Sequence, residues 1–283
     1  KYNLKNSIKN VVYYLITISM EDTLKKFVDK YRPCISIFTI SLNGTCPVEY
    51  TNSLVSTMQL CDQYNIMVRV EFHKQHSNLQ HAKNNFLCRN AEDDEVTHLM
   101  FIDSNMSWNP NDVINMLLDD KHIVAGACPQ SYYSWDSVEK EPSLLQNVVE
   151  KRNEEPMLQH ISLQKLIQSK LTRYSVVIGT EEAVMDNNLL QVHQVSFQFI
   201  MMKKIVVQKM MQAFPSTKYL VRDHYIHCLM DSIVESNSYY SDEEVFLKRW
   251  YHMKGKVYVN MLVVVDHMHT NRFQGSLMAS LAL

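Results

Sequence analysis

The sequence predicts an α/β protein with a mostly parallel central sheet and helices on both faces. Short apolar runs alternate with stretches of helical spacing between residues 34 and 128. Most of these runs are continuously apolar, which is typical of strands buried on both faces of a parallel sheet, whereas Met67–Phe72 alternates. A helix separates each strand from the next, and such connections join parallel strands through right-handed crossovers.

The first half of the chain contains four predicted strands, joined by three predicted helices. The strands are Cys34–Leu42, Met67–Phe72, Leu99–Ile102 and His122–Cys128, and the helices are Val48–Tyr64, His81–Arg89 and a third that starts after Asn109. Asn109 is placed to cap that third helix, with Pro110 at its first position. Open α/β sheets bind ligands beyond the carboxyl ends of their strands, so residues that follow the strands are the first candidates for a site.

The second half has a looser pattern, with a largely polar stretch at 130–160. Two further strands, Tyr174–Ile178 and Val192–Met202, predict a small antiparallel addition. Ser241 and Glu244 have the spacing of a capping box, and Gly255 is predicted to cap the end of that helix. The last buried strand is Val257–Val265. We therefore expect an N-terminal helical extension at 1–33 and one domain at 34–283.

Composition excludes several classes of protein. The formal charge is −2, with no long basic run, so no nucleic-acid surface is expected. The six cysteines are scattered, which favours buried thiols in a reducing compartment such as the cytoplasm. No apolar run approaches the ~20 residues of a transmembrane helix. Neither the P-loop nor the dinucleotide fingerprint occurs among the five glycines.

Polar residues that follow two buried strands predict a metal site. Asp103 and Asn105 follow one strand, and His267 follows the last. A carboxylate, an amide oxygen and an imidazole can complete the coordination of Mg²⁺ or Mn²⁺ when a diphosphate supplies further oxygens. The alternative is that these are unrelated loop ends, with Asp103 starting a turn. His267 and His269 can also form a two-histidine pair, although that spacing alone is a weak signal.

Three more residues have both a functional and a structural interpretation. Asp242 or Glu243, in the first turn of a helix, can act as a general base for a hydroxyl nucleophile. Both residues also complement the helix dipole, which is the simpler explanation. Lys83 can contact a phosphate or be an ordinary solvated helix residue.

The order of these motifs resembles nucleotide-sugar glycosyltransferases of the GT-A fold, and most closely a group associated with large algal and amoebal DNA viruses. The resemblance covers about residues 34–277. It is carried by the segments SIFTISLNGTCPVEY, SNLQHAKNN, THLMFIDSNMSWNPNDV, HIVAGACPQSYYSW, VHQVSFQFIMMKK, YYSDEEVFLKRW and DHMHTNRFQGS. The third of these resembles the family pattern THxxFIDADIxWxPxDV. The resemblance implies a GT-A-like (Rossmann-like) fold and a location in the cytoplasm, that of the host for a viral protein.

The resemblance also implies an activity, which is metal-assisted transfer of a sugar from a nucleoside diphosphate sugar, uridine-linked, to a hydroxyl of a glycan acceptor. Site residues follow position by position. The nucleotide would be contacted by Ser41, Lys83, Asp103 and Ser104. The ion, Mn²⁺ or Mg²⁺, would be held by Asp103, Asn105 and His267. The catalytic acidic pair would be Asp242 and Glu243.

Several positions depart from the family pattern. Asn105 replaces the second carboxylate of the DxD motif, and Lys83 replaces an arginine and so loses its fork geometry. Ser196 and His269 stand where glycines are expected. A neutral Asn105 removes one negative charge from the metal site. The alternative function is therefore a GT-A-like binding or scaffold protein with weakened catalysis.

Overall fold

The protein is described from a computed structural model, in which residues 21–74, 78–179, 184–268, 272–273 and 276–282 are described. Most of the predicted N-terminal extension, and His269, lie outside these ranges. The division into 1–33 and 34–283 stays a prediction. Within the described residues, none of the helices is long and apolar enough to cross a membrane.

The strands and helices alternate through the first half of the chain, as predicted. The strands are β1 Cys34–Ser41, β2 Met67–Lys74, β3 His98–Asp103, β4 Met106–Trp108, β5 Ile123–Ala127, β6 Pro129–Tyr133, β7 Thr172–Tyr174, β8 Val176–Val177, β9 Met185–Asp186, β10 Leu189–Val192, β11 Gln194–Val195, β12 Phe199–Lys203, β13 Lys218–Val221, β14 His224–His227, β15 Ile233–Glu235, β16 Ser238–Tyr240, β17 Val257–Met268 and β18 Arg272–Phe273. The helices are α1 at 21–31, α2 Val48–Gln63, α3 Leu79–Glu92, α4 Pro110–Leu118, α5 Asp136–Lys140, α6 Leu144–Glu154, α7 Pro156–Gln159, α8 Leu163–Leu171, α9 Lys204–Ala213, α10 Asp242–His252 and α11 Leu277–Ala282.

A large mixed sheet forms the centre, in the order β2-β1-β3-β12-β5-β17-β10-β9, with β4 and β18 also paired to β17. β1 is parallel to β2 and β3, and β5 is parallel to β17. β12 lies between β3 and β5 and is antiparallel to both. The prediction of a mostly parallel sheet is therefore confirmed only in part, because antiparallel neighbours predominate. Apolar periodicity reports that a strand is buried but not its direction, so β12 could not be oriented from sequence.

Helices cover both faces of this sheet and bury its two sets of alternating side chains. On one face α1, α2 and α4 pack on the strands, with Leu24, Tyr50 and Val113 in the core. On the other face α3, α9 and α10 contribute residues such as Phe86 and Phe246. A sheet covered on both faces explains why the inner strands β3 and β5 are largely apolar, whereas the edge strand β2 is only partly buried.

The C-terminal half contains smaller antiparallel pairs, β6–β7, β8–β11, β13–β14 and β15–β16. The single strand expected at Val192–Met202 is instead divided among β10, β11 and β12, with a turn at 196–198. The polar stretch at 130–160 contains α5, α6 and α7, where Leu144, Val148 and Leu158 are the buried apolar residues. So few apolar positions do not produce a recognisable helical period.

The helix caps follow the sequence closely at the start of α4 and α10. Asn109 accepts a hydrogen bond from the Asn111 backbone, with Pro110 at the first helical position. Ser241 and Glu244 form both hydrogen bonds of a capping box. These contacts orient the first turn of α10, which carries Asp242 and Glu243.

The predicted cap at Gly255 is wrong in detail. The residue with a left-handed backbone is Lys254, at a φ of 60°. Gly255 is required for a different reason, since a Cβ there would lie 2.1 Å from Cε2 of Trp250. Its amide donates to the Trp250 carbonyl at 3.0 Å. The turn after α10 is therefore built against the indole ring.

Candidate active site

The candidate site lies at the carboxyl ends of β1 and β3, where a tight loop follows each strand. Ile40 and Asp103 are register partners across the two parallel strands. The Ser104 amide donates to the Ile40 carbonyl at 3.1 Å, and the Asp103 amide donates to Gln198 at 2.9 Å. Ser104 is buried. These bonds fix the backbone of the Asp-Ser-Asn turn between its two neighbouring strands.

Ser41 ends β1 at the same edge of the sheet. Its hydroxyl donates to the Thr45 carbonyl at 2.6 Å, and the side chain is buried. The loop after β1 is thus closed by Ser41, while Asn43 accepts from the amide of Thr45 at 3.0 Å. The structure places Ser41 beside Asp103 and Ser104, with its hydroxyl engaged inside its own loop.

Strand β4 brings the end of β17 to the Asp-Ser-Asn turn. It pairs antiparallel with β17, so that His267 is opposite Met106. The Met268 amide donates to the Asn105 carbonyl at 2.7 Å. Two segments more than a hundred and fifty residues apart in the chain, 103–105 and 266–268, are therefore adjacent in the fold. The pairing thus brings the backbone of Asn105, which bonds to Met268, close to that of His267, which is opposite Met106.

Asp103 and His267 are the two predicted metal ligands at this edge whose side-chain hydrogen bonds are defined. Nδ1 of His267 lies 3.0 Å from the Pro129 carbonyl oxygen. A carbonyl only accepts, so Nδ1 carries the hydrogen and Nε2 keeps its lone pair, as in most histidines that ligate metals. Oδ1 of Asp103 accepts from the Asn105 amide at 3.2 Å. No group of three or more His, Cys, Asp or Glu able to hold a metal occurs among the described residues.

The acidic pair at the start of α10 lies next to α3. Nζ of Lys83 is 2.9 Å from Oδ2 of Asp242 and 3.4 Å from Oε1 of Glu243. The Lys83 side chain is 5 % exposed, whereas that of Glu243 is 28 % exposed. Lys83 thus offsets one of the two negative charges of the pair from the protein interior. Its predicted contact with a phosphate stays a prediction, because the contact seen here is with carboxylates.

Glu243 lines a cavity. The Phe197 amide donates to its Oε2 at 3.0 Å. Burial raises the pKa of Glu243, and the charge of Lys83 and the bond from Phe197 oppose that rise. A pocket of about 310 Å³ is lined by Glu243 together with Tyr174 and Ser196. A carboxylate with a raised pKa at the wall of a pocket is suited to exchange a proton with a bound hydroxyl.

Cys128, at the end of β5, connects the two halves of the site. Burial raises the pKa of its thiol, and the charges of Asp103 and Glu243 each raise it further. Both carboxylates are therefore near the same buried thiol. Ser196, which occupies an expected glycine position, donates from its hydroxyl to Oε1 of Gln198 at 3.2 Å.

Sequence reasoning did not find several residues that shape the site. Gln194 donates from Nε2 to Oε1 of Glu244 at 2.7 Å, and the backbone of Phe197 holds Glu243. Pro129 sets the tautomer of His267 through its carbonyl. Two of these contacts are made by the backbone, which carries no residue-type signal. A strand-end proline after the apolar run at 122–128 was the one visible hint.

The predicted site residues therefore fall into two groups in the structure. Ser41, Asp103, Ser104, Asn105 and His267 surround the ends of β1, β3 and β17, and Lys83, Asp242 and Glu243 form the second group at α3 and α10.

Comparisons with known proteins add little. No family model matches the chain, and no curated protein does. Among solved structures, the chain is similar to A197 from STIV, described as a crystal structure, with 11 % identity and a TM-score of 0.44. The match covers 86 % of this chain and 94 % of that one. Similarity at this level supports no conclusion about function, so the proposal below rests on the site.

Proposed function

We propose that the protein is a glycosyltransferase that moves a sugar from a nucleoside diphosphate sugar, uridine-linked, to a hydroxyl of a glycan acceptor, assisted by Mn²⁺ or Mg²⁺. The observation that carries the proposal is the pairing of β4 with β17, which sets His267 beside the Asp-Ser-Asn turn. This position supports the proposal, because α/β proteins bind nucleotides at the edge of the sheet where the carboxyl ends of the strands lie.

On the donor side, Ser41, Asp103 and Ser104 would contact the nucleotide. Asp103, the Asn105 amide and Nε2 of His267 would hold the cation, together with oxygens of the diphosphate. When bound, the cation supplies positive charge that stabilises the leaving diphosphate. The hydrogen bond from His267 to Pro129 supports this role, because it holds the imidazole in the tautomer a metal needs.

On the acceptor side, Glu243 would accept the proton of the attacking hydroxyl if the reaction inverts the anomeric centre. The acceptor oxygen forms a bond to the anomeric carbon as the bond to the diphosphate oxygen breaks. Asp242 would hold the Lys83 ammonium beside Glu243. If the reaction retains configuration, no base is needed in this place.

The proposal is tested by titrating UDP with and without Mn²⁺ in calorimetry, followed by assays of donor hydrolysis with a panel of uridine-linked sugars. We expect binding that depends on Mn²⁺ and slow hydrolysis of at least one donor. Asp103→Asn and His267→Ala should each reduce the increase in UDP affinity that Mn²⁺ produces. Weak UDP binding that does not depend on Mn²⁺, with no turnover of any donor, would contradict the proposal.

Asn105→Asp is expected to strengthen Mn²⁺-dependent UDP binding by about tenfold, because affinity for a hard cation rises with the number of charged ligands. Calorimetry in the presence and absence of Mn²⁺ measures the difference. Asn109→Asp is the matched control: it adds the same charge a few residues away and keeps a good helix cap. Equal effects of the two substitutions would show that Asn105 lies outside a metal site.

A binding or scaffold protein is the second candidate. This function is favoured by the neutral Asn105, which stands at the second acidic position of the DxD motif. It is also favoured by Lys83, whose ammonium is ion-paired with Asp242 and Glu243. Such a protein would bind UDP weakly and turn over no donor, so the same titration and hydrolysis assay separate the two functions.

A further inference from the structure

A second pocket lies at the opposite edge of the sheet, where β5 and β17 begin. It has a volume of about 320 Å³, and its wall includes Lys121, His122, Lys209, Trp250, Lys254 and Lys256. The candidate active site lies at the other ends of the same strands. The pocket is therefore separate from the proposed donor and acceptor sites.

The lysines give this pocket an excess of positive charge. Asp120 in its wall is paired with Lys203 at 2.5 Å, and Lys121 is paired with Asp186 at 2.7 Å. Lys209, Lys254 and Lys256 have no carboxylate partner among the described residues. Three uncompensated positive charges around one concavity attract an anion.

The backbone that carries two of these lysines is held in place. Lys254 adopts a left-handed conformation, which is uncommon for a residue with a side chain. Gly255 lies so close to the Trp250 ring that a Cβ at this position would clash with it. Nε1 of Trp250 donates to the Lys256 carbonyl at 3.1 Å. The turn thus places Lys254 and Lys256 on either side of one fixed contact with the indole.

His122 provides a further group that responds to charge in the pocket. Its ring lies 5.6 Å from that of Trp250. Burial lowers its pKa, and the positive charges of Lys209 and Lys203 lower it further, while Asp120 opposes them. A bound anion would reverse the influence of the lysines.

We propose that this pocket binds a phosphate group, either as a free phosphate compound or as part of a phosphorylated lipid headgroup. At ≈30 Å³ per water, the cavity holds about ten waters, which is room for more than one phosphate group. Lysine is a common phosphate ligand as a point charge, and the lysine side chains surround the pocket without closing it.

The test is an NMR titration of the whole chain with inorganic pyrophosphate, in EDTA so that no divalent cation supports binding at the candidate active site. The chain has three tryptophans, at 108, 135 and 250, and their indole signals can be followed separately. We expect saturable shifts of the Trp250 indole and a higher pKa for His122. The indole of Trp108, which bonds to Thr57 within the core, should not move.

The variant K209Q/K254Q/K256Q should bind pyrophosphate at least about tenfold more weakly. These lysines are exposed, so the fold should survive their substitution. Lys165→Gln, which removes an exposed lysine on α8, is the control and should leave binding unchanged. A parallel sedimentation assay uses phosphatidylcholine vesicles with and without phosphatidic acid. Retention of the protein by the phosphatidic acid vesicles alone, lost in the triple variant, would identify the lipid as the source.

The proposal is overturned if neither pyrophosphate nor the phosphatidic acid vesicles bind. It is also overturned if binding occurs but the triple variant and Lys165→Gln behave alike, since the charge would then act nonspecifically. Failure here leaves the UDP titration unaffected, because the two sites lie at opposite edges of the sheet.

Discussion

Glu243→Gln is expected to lower kcat for sugar transfer by about 10²–10⁴-fold, the usual contribution of a positioned general base. Glutamine keeps the size of the side chain but cannot accept the acceptor proton. The bond from the Phe197 amide to the side-chain oxygen can persist, so the fold should be retained. Steady-state kinetics with the active donor measures the loss. KM for the donor should change little, because Glu243 belongs to the group of residues at α3 and α10 and is not among the proposed donor contacts.

The pH profile gives a second measure of the same role. A base must be deprotonated, so kcat/KM should rise with pH through the pKa of Glu243, which burial raises above the ordinary glutamate value. This acidic limb should disappear in Glu243→Gln. The matched control is Glu244→Gln, since glutamine also completes a capping box. If Glu244→Gln costs as much as Glu243→Gln, or if the acidic limb survives in Glu243→Gln, then Glu243 is not the base.

Much of the fold is predictable from sequence where one physical signal dominates. The apolar runs of β1, β3 and β5 are buried on both faces, and the caps of α4 and α10 depend on side chains within a few residues. Such signals are local, so they can be recognised without knowing the tertiary structure. They are sufficient to place helices on both faces of the central sheet.

The parts that were missed depend on contacts between distant segments. β12 is antiparallel between two parallel strands, and β4 is a strand of three residues because β17 pairs with it. The burial of Lys83 depends likewise on α10, which lies far along the chain. Pairing direction and ion pairs of this kind are not encoded in periodicity. The same long-range contacts bring the separate sequence motifs together at the candidate site.

Lys83→Met is expected to destabilise the protein by about 3–5 kcal/mol, the usual cost of breaking a buried ion pair from one side. Methionine fills the space of the side chain but leaves Asp242 and Glu243 close together without a positive partner. Urea denaturation at neutral pH measures the free energy of unfolding. Lys165→Met is the matched control, because Lys165 is exposed on α8 and has no carboxylate partner among the described residues.

The charge origin of this loss can be separated from packing by lowering the pH. Without Lys83, the pKa of Glu243 rises further, because the lysine charge opposes the effect of burial in the native protein. When the pKa of a carboxyl is higher in the folded than in the unfolded state, the protein becomes less stable as pH rises from the unfolded pKa to the folded pKa. The stability deficit of Lys83→Met should therefore shrink as pH falls toward the unfolded pKa of glutamate. Adding Asp242→Asn and Glu243→Gln to Lys83→Met should likewise restore most of the lost stability, since no buried charge is then unpaired. If the deficit is the same at neutral pH and at the lower pH, and if Asp242→Asn and Glu243→Gln do not reduce it, then Lys83 stabilises the protein through packing alone.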